Sequence, residues 1–361
     1  MIGASKKGLP VFVASLAVVS AAFAGQDDMK PNACKGPSLC HTRPNVDSNN
    51  FMIDVGFLVE QARLTGTMYG YTLTGNAQQG DNAQSVVGNR PKFGLDWGVT
   101  VGVGRHFEHD DWDVLVHFDW ISSTGKNSTA TEFGEIFVPV NLRSYEAFNG
   151  TGNVLSAENA SSVMKINYYM LDAVLGRGSF LGGCHHITPH LGFKAAWINY
   201  KNTVKLTGGD VQTGNVYWLQ KNDKFWGVGP DVGVDAVFGM AEGLGIFVDN
   251  SAAILLGYSS VNDHSWSSVN ANAYTMLYKE NSIPVMSPTL KMYLGLQYER
   301  PVYYGCQHIR ARLGWDTAFY FNQYLNSYIV NEVPTTNARF HTDENNTFSL
   351  TGLRFDVCWD F

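Results

Sequence analysis

Three short clusters in the sequence combine residue types that could do chemistry. The run from His109 to Asp111 could form part of a hydrolase active site or bind a metal. Cys184 with the two histidines that follow it, or Cys306 with His308, could bind zinc. Asp is also a common turn residue, and these Cys–His spacings lack the paired pattern of a structural zinc site. The sequence contains no Gly-x-Ser-x-Gly nucleophile elbow. We therefore predict no enzyme, no metal site and no cofactor.

The composition excludes several classes of protein. The 361 residues are 45% hydrophobic and only 16% charged, and the formal net charge is −7. Such a chain is too apolar to be intrinsically disordered and too acidic to bind nucleic acid through its charge. No stretch beyond the first two dozen residues supplies the ~20 consecutive apolar residues of a membrane-spanning helix. The fold must therefore be built from elements other than membrane-spanning helices.

The N-terminus has the pattern of a signal peptide. Lys6 and Lys7 precede an apolar run, and Ala22-Phe23-Ala24 offers the small residues that signal peptidase reads. We expect residues 1–24 to be removed from an exported protein. Residues 25–50 are polar with three prolines and are expected to form a periplasmic linker, followed by one domain over residues 51–361.

Apolar and polar residues alternate through the rest of the chain, which predicts β-strands with one apolar face. The strands are expected near residues 51–62, 92–107, 112–122, 165–177, 187–201, 224–240, 244–258, 286–301, 306–321 and 347–361. They are longer than the usual strand of roughly 5–6 residues, and aromatic residues gather at their ends. These features favour an all-β, transmembrane, antiparallel up-and-down barrel over a soluble sandwich.

The loop lengths predict the topology. Short connections follow the second, fourth, sixth and eighth strands, and long ones follow the others. That alternation is typical of a transmembrane barrel with tight periplasmic turns and long external loops. Ten strands place both ends of the chain in the periplasm. Because residues 123–164 contain a second apolar stretch that could form a further hairpin, 12–16 strands remain an alternative.

The polar faces of these strands would line the lumen. The pore-lining candidates are Lys92, Asp96, Asp113, His117, Asp119, Lys194, Asp231, Asp235, Asp249, Lys291, Glu299, Arg310, Arg312, Asp316, Arg354 and Asp356. They comprise nine acids and six Lys or Arg residues, which suggests a weak preference for cations. Alternatively, opposite charges pair between strands and simply hold the wall together.

The cysteines of an exported chain are disulfide candidates. They are Cys34, Cys40, Cys184, Cys306 and Cys358. The topology puts all of them on the periplasmic side, where Cys306 could bridge to Cys358 and Cys34 to Cys40. Cys184 would then be free to cross-link a second molecule. The alternative is that some of them are reduced packing residues.

Several segments resemble a known family. The run from Trp97 to Trp120 with its HDDWD turn, the FWGVGPDVGVD segment, the strand from Arg310 and the last twelve residues are similar to the Legionella-type major outer-membrane porins, which also occur in chlamydia-like bacteria. The resemblance implies a pore-forming barrel in the outer membrane. Phe361, with Trp359 two residues before it, also looks like the signal that barrel-assembly machinery reads.

We therefore expect an outer-membrane porin, a passive diffusion channel for ions and small hydrophilic solutes. The alternative is a disulfide-linked structural envelope protein or adhesin that presents long surface loops. An outer-membrane hydrolase ranks last. The expected partners are outer-membrane lipid, the barrel-assembly machinery and a second copy of the chain, through oligomer formation or through Cys184.

Overall fold

The computed structural model describes residues 51–74, 85–107, 112–132, 135–139, 156–180, 185–209, 216–241, 243–267, 275–302, 307–331 and 339–361. Among them no helix is long and apolar enough to cross a membrane. Ten long strands dominate: β1 (Phe51–Leu64), β5 (Leu95–Phe107), β6 (Trp112–Ala130), β8 (Asn159–Arg177), β10 (His185–Thr207), β11 (Tyr217–Ala241), β12 (Leu244–Ser267), β13 (Thr275–Val302), β14 (Gln307–Asn331) and β15 (Arg339–Asp360). Five short strands are β2 (Gly70–Thr74), β3 (Ser85–Asn89), β4 (Lys92–Phe93), β7 (Glu135–Pro139) and β9 (Ser179–Phe180).

The ten long strands close into an antiparallel barrel in the order β1-β5-β6-β8-β10-β11-β12-β13-β14-β15. The first and last strands complete the ring, because Phe51 and Phe361 exchange backbone hydrogen bonds of 2.9 Å and Val55 lies opposite Val357. In a ring of ten, each strand faces the one five places away: β6 faces β13, β8 faces β14, and β10 faces β15. We call the end that carries Phe51 and Phe361 the terminal end, and the other the distal end.

The all-β, ten-stranded prediction is confirmed, and the alternative of 12–16 strands is wrong. The described part of residues 123–164 adds no barrel hairpin: it lengthens β6 and β8 and supplies β7. Most strands extend past their predicted distal ends, so the distal connections are shorter than expected. β10, for example, continues to Thr207. On β10 the outward residues of this extension are polar (Thr203, Lys205 and Thr207), so the apolar pattern in the sequence ends before the strand does.

The two faces of the barrel wall have opposite chemistry. On β1, exposed and buried residues alternate along almost the whole strand: Phe57 is 55% exposed, whereas Leu58 is 2% exposed. The exposed positions around the ring carry dozens of large apolar side chains. An apolar exterior this extensive is not compatible with water. It forms the lipid-facing surface that the alternation predicts.

Aromatic side chains mark the two edges of this surface. Trp120, Tyr169, Trp197, Trp226 and Tyr258 lie in register across five neighbouring strands, and we call them the distal aromatic row. At the terminal end Arg105 stacks on Phe51 and Phe107 at 5.1 and 5.4 Å. The thirteen residues from Trp226 to Phe238 on β11 span about 30 Å for a strand tilted by ~40°. That height matches the hydrocarbon core of a bilayer.

A small sheet of β2, β3 and β7 lies at the distal end. Phe137 of β7 is fully buried, and its ring packs against Tyr69 at 5.7 Å. Together they contact the inner wall in one buried cluster with Ala160, Val204, Leu206, Tyr217 and Leu219. Phe137, from the region that could have held another hairpin, thus packs against the inner wall of the barrel.

Glycines allow neighbouring strands to approach closely on the inner face. A Cβ on Gly229 would lie 1.8 Å from the backbone oxygen of Ile254, a distance that no real contact shows. By contrast, a Cβ on Gly94 would meet nothing within 4 Å. The curvature of the wall between β11 and β12 therefore requires glycine at position 229.

We predict that Gly229→Ala destabilises the barrel by about 1–3 kcal/mol, because the backbone on the partner strand must move away. The midpoint of urea unfolding of refolded protein in detergent measures this. Gly94→Ala is the matched control and should leave the midpoint unchanged. Equal midpoints for both variants would show that the strands do not approach as closely as described.

Candidate functional site

The barrel interior collects nearly all of the predicted lumen residues. Every pore-lining candidate except Lys92 lies on the inward face, and most of these side chains are buried. Sequence reasoning thus found the correct face. It did not predict that so many side chains would be buried by one another.

Lys92 is the exception, and its placement corrects the prediction. The strand is interrupted at Gly94 between β4 and β5, which shifts the alternation by one residue. Phe93 consequently turns inward against the core, whereas Lys92 is exposed and lies opposite Lys126 on the outer face. A strand read as continuous from Lys92 to Phe107 could not show this shift.

Arg312 is the centre of a buried ion network in the terminal half of the lumen. Its Nε lies 2.7 Å from Asp356 Oδ2, its Nη1 2.8 Å from Asp249 Oδ2 and its Nη2 3.5 Å from Asp54 Oδ2. Arg354 joins the same network through Asp356 at 3.1 Å. Both guanidinium groups also pack on the ring of Tyr293, at 5.4 and 4.9 Å. Four strands are therefore tied together by one group of charges.

Two buried lysines extend the network. Lys291 Nζ on β13 lies 2.7 Å from Asp119 Oδ2 on β6, the strand on the opposite wall, so this ion pair crosses the lumen. Lys194 donates to Asp231 at 2.9 Å and to Ser251 at 2.7 Å. Opposite charges are thus paired across and along the wall, as the alternative interpretation of the polar faces proposed.

A polar cavity opens among these residues. It has a volume of about 160 Å³ and is partly open to solvent. The charged groups that line it are Asp54, Asp113, Asp172, Asp235 and Asp249 with Lys291, Arg310, Arg312 and Arg354. Among the acids that line the cavity, Asp235 is the most accessible, with 43% of its side chain exposed. Three histidines, His117, His186 and His190, also line the cavity, so its acidic and basic groups are nearly balanced.

An aromatic layer closes the lumen beyond the ion network. Tyr168 on β8 and Tyr320 on the opposite strand β14 reach across the barrel, and their hydroxyls are hydrogen-bonded at 2.5 Å. Tyr200 on β10 meets Phe348 on the opposite strand β15, with ring centroids 6.0 Å apart. Phe348 also packs on Tyr168 at 6.0 Å. We call these four residues the tyrosine layer.

Further apolar side chains surround the tyrosine layer. Ile121, Met164, Ile198, Phe225 and Leu255 belong to the same buried cluster, and all are almost completely buried. Ile121, Tyr168, Ile198 and Phe225 are in register across four strands. They lie one residue from the distal aromatic row, so the layer sits inside the barrel at the height of that row.

Several residues of the site were not among the predictions. Asp54 and Glu60 occupy inward positions between the apolar residues of β1, so the alternation already implied their place. Asp172 lies inside, whereas Arg177 lies outside and stacks on Trp112 at 5.8 Å. No such pattern in the sequence indicates the tyrosine layer, because aromatic residues on the strands are expected to face lipid.

Other predicted sites fall partly outside the described residues. Those that lie wholly outside are the signal peptide, the linker, the run from His109 to Asp111 and the cysteines Cys34, Cys40, Cys184 and Cys306. Cys358 is buried with a free thiol, which donates to Asp360 at 3.3 Å, and it lies opposite Arg310. The structure thus offers no support for its bridge to Cys306, which stays a prediction. Trp359 and Phe361 are both exposed, with their rings 4.9 Å apart.

We predict that Arg312→Ala destabilises the barrel by about 3–5 kcal/mol, because three carboxylates lose this guanidinium and only Asp356 keeps another one, that of Arg354. Arg63→Ala is the control, since Arg63 is an exposed residue on the outer face of β1. Urea unfolding in detergent measures both variants. A midpoint for Arg312→Ala within error of the control would contradict the role of the ion network.

Comparison with known proteins gives a family and a set of distant structural likenesses. No curated protein matches the chain. The structure is similar to the outer-membrane protease OmpT of Escherichia coli, with 7% identity, a TM-score of 0.37 and coverage of 87% of this chain and 98% of that one. It is also similar to the P. putida toluene transporter TodX, with 8% identity, a TM-score of 0.26 and coverage of 87% and 90%. Scores this low carry no argument about function.

The sequence itself matches a protein family over most of its length. The model of the Legionella pneumophila major outer membrane protein precursor covers residues 42–361. Together with the closed barrel and its apolar exterior, this match places the protein in the outer membrane. The chain belongs to the Legionella major outer membrane protein family.

Proposed function

We propose that this protein is an outer-membrane channel for ions and small hydrophilic solutes, closed in the described conformation at its tyrosine layer. The terminal end would face the periplasm and the distal end the exterior. The polar cavity is the vestibule of the channel, and the tyrosine layer is its gate. No catalytic step is part of this proposal.

The observation that carries the proposal is the arrangement of the lumen. A cavity with charged walls, partly open to solvent, lies directly beneath an apolar layer that contacts from opposite walls hold closed. Apolar constrictions in a polar pore stop conduction by excluding water. Side chains can leave such a layer by rotation without breaking the strand pairing.

The family match supports a pore in the outer membrane but does not identify the solute. The vestibule suggests only a weak cation preference, because three of its five carboxylates, Asp54, Asp172 and Asp249, already have an Arg or Lys partner. Asp235 is the residue best placed to attract mobile cations, since its side chain is partly exposed and its partner at 3.6 Å is a histidine.

We predict that Tyr168→Ala combined with Tyr320→Ala increases the open probability in planar bilayers by about tenfold or more. The double variant loses one hydrogen bond and three aromatic contacts, each worth about 1 kcal/mol, and a shift of about 1.4 kcal/mol changes an equilibrium constant tenfold. Tyr168→Phe with Tyr320→Phe removes only the hydrogen bond and should have a smaller effect.

Tyr298→Ala is the matched control, because that tyrosine is 48% exposed on the outer wall. It should leave the open probability at the wild-type value. If the Tyr168→Ala and Tyr320→Ala variant folds but conducts no better than the wild type, the layer is not the gate.

A second prediction concerns selectivity. Asp235→Asn should lower the cation-to-anion permeability ratio, measured as the reversal potential across a salt gradient, because it removes an accessible negative charge from the vestibule. The measurement is best made with the alanine-substituted tyrosine layer, where current is abundant. Glu135→Gln, on the small sheet away from the barrel wall, is the control. An unchanged reversal potential for Asp235→Asn would mean that ions do not pass this residue.

The packed interior also favours a second candidate function. A barrel whose opposite walls are joined by ion pairs and aromatic contacts could act as a structural envelope protein that presents its distal surface and never conducts. Planar-bilayer recordings separate the two: the structural candidate predicts no current from the wild type and none from the variants of the tyrosine layer.

A further inference from the structure

The outer wall just beyond the distal aromatic row carries a cluster of lysines. Lys224 lies two residues beyond the row on β11, and Lys165 and Lys201 lie four residues beyond it on β8 and β10. Lys279 on β13 is opposite Asn262, which is also four residues beyond the row. With Lys92 and Lys126 they form what we call the lysine patch, and all six are exposed.

The lysine patch contains two pairs of like charges placed directly opposite each other. Lys165 is in register with Lys201, and Lys92 is in register with Lys126. Like charges at directly opposed positions of neighbouring strands destabilise a sheet. None of the six lysines forms an ion pair with another residue in the described part of the chain. Buried lysines of the same barrel, by contrast, are matched with carboxylates at 2.7 and 2.9 Å.

The height of the lysine patch identifies the kind of anion that would neutralise it. Two to four residues along a tilted strand correspond to about 5–10 Å beyond the aromatic row, whereas Lys126 and the opposed Lys92 lie six residues beyond it, or about 15 Å. Aromatic girdles lie at the level of the lipid headgroups, so the ammonium groups reach the phosphate level of the adjacent leaflet. Two lysines on neighbouring strands, with Cβ atoms about 5 Å apart, can both contact one phosphate group.

We propose that the lysine patch binds the phosphate groups of a phosphorylated glycolipid of the lipid A type in the outer leaflet. The opposed pair Lys165 and Lys201 forms the centre of the site, with Lys224 and Lys279 on one side and Lys92 and Lys126 on the other. The apolar wall below receives the acyl chains. This site rests on the outer-membrane location and on the outward orientation of the distal end proposed above, but it does not require a conducting pore.

The test uses the refolded full chain in detergent and bisphosphorylated lipid A as the probe, with binding followed by native mass spectrometry or fluorescence titration. Lys165→Gln with Lys201→Gln should weaken binding at least about tenfold, because two charge-assisted contacts are lost. Lys165→Arg with Lys201→Arg keeps both charges and should retain binding. Raising the salt concentration should weaken binding by the wild type.

Arg177→Gln with Arg300→Gln is the matched control, since it removes two outward-facing cations from the terminal end of the barrel. It should bind the probe as the wild type does. Dephosphorylated lipid A should bind the wild type no better than it binds the Lys165→Gln and Lys201→Gln variant. Equal binding of phosphorylated and dephosphorylated probes, equal binding by the lysine and control variants, or preferred binding of phosphatidylglycerol would each overturn the proposal.

Discussion

The small circumference of the barrel is the constraint on which the other features depend. Ten strands enclose a lumen narrow enough for side chains on opposite walls to touch, as Lys291 and Asp119 do in one layer and Tyr168 and Tyr320 do in the next. Any charge that points inward must therefore find its partner inside the protein. The interior resembles a folded core in its packing, but it is built mostly from residues that a soluble core would exclude.

This constraint separates the molecule into three environments. The outer wall meets lipid, the terminal half of the lumen contains balanced charges around a cavity, and the distal half is closed by apolar contacts. Each environment uses every second residue of the same strands. A single position can change environment only where the alternation shifts, as it does at Gly94 between β4 and β5. That shift moves Lys92 from the lumen to the outer wall, where it joins the other exposed lysines.

The sequence predicts the strands and the direction of their side chains well, because period-two alternation is a local signal. The ten strands, their order around the ring and the inward position of residues such as Asp231 and Arg354 follow from it. Contacts across the lumen do not, since they join residues far apart in the chain. Tyr168 and Tyr320 are separated by 152 positions, and nothing in the local pattern distinguishes them from aromatic residues that meet lipid. The local pattern did not predict the small sheet around Phe137 either. Its strands pair with each other and not with the barrel wall.

The central claim is that opposite walls of the barrel meet at the tyrosine layer. Nuclear Overhauser contacts between selectively labelled aromatic rings, measured on the refolded protein in lipid nanodiscs, test it most directly. The account predicts cross-peaks between Tyr200 and Phe348 and between Tyr168 and Phe348, whose ring centroids lie 6.0 Å apart in both cases. Trp226 and Tyr258, at 5.7 Å on the outer wall, provide the internal reference. A spectrum that shows the reference contact but lacks both cross-lumen contacts would contradict a closed interior.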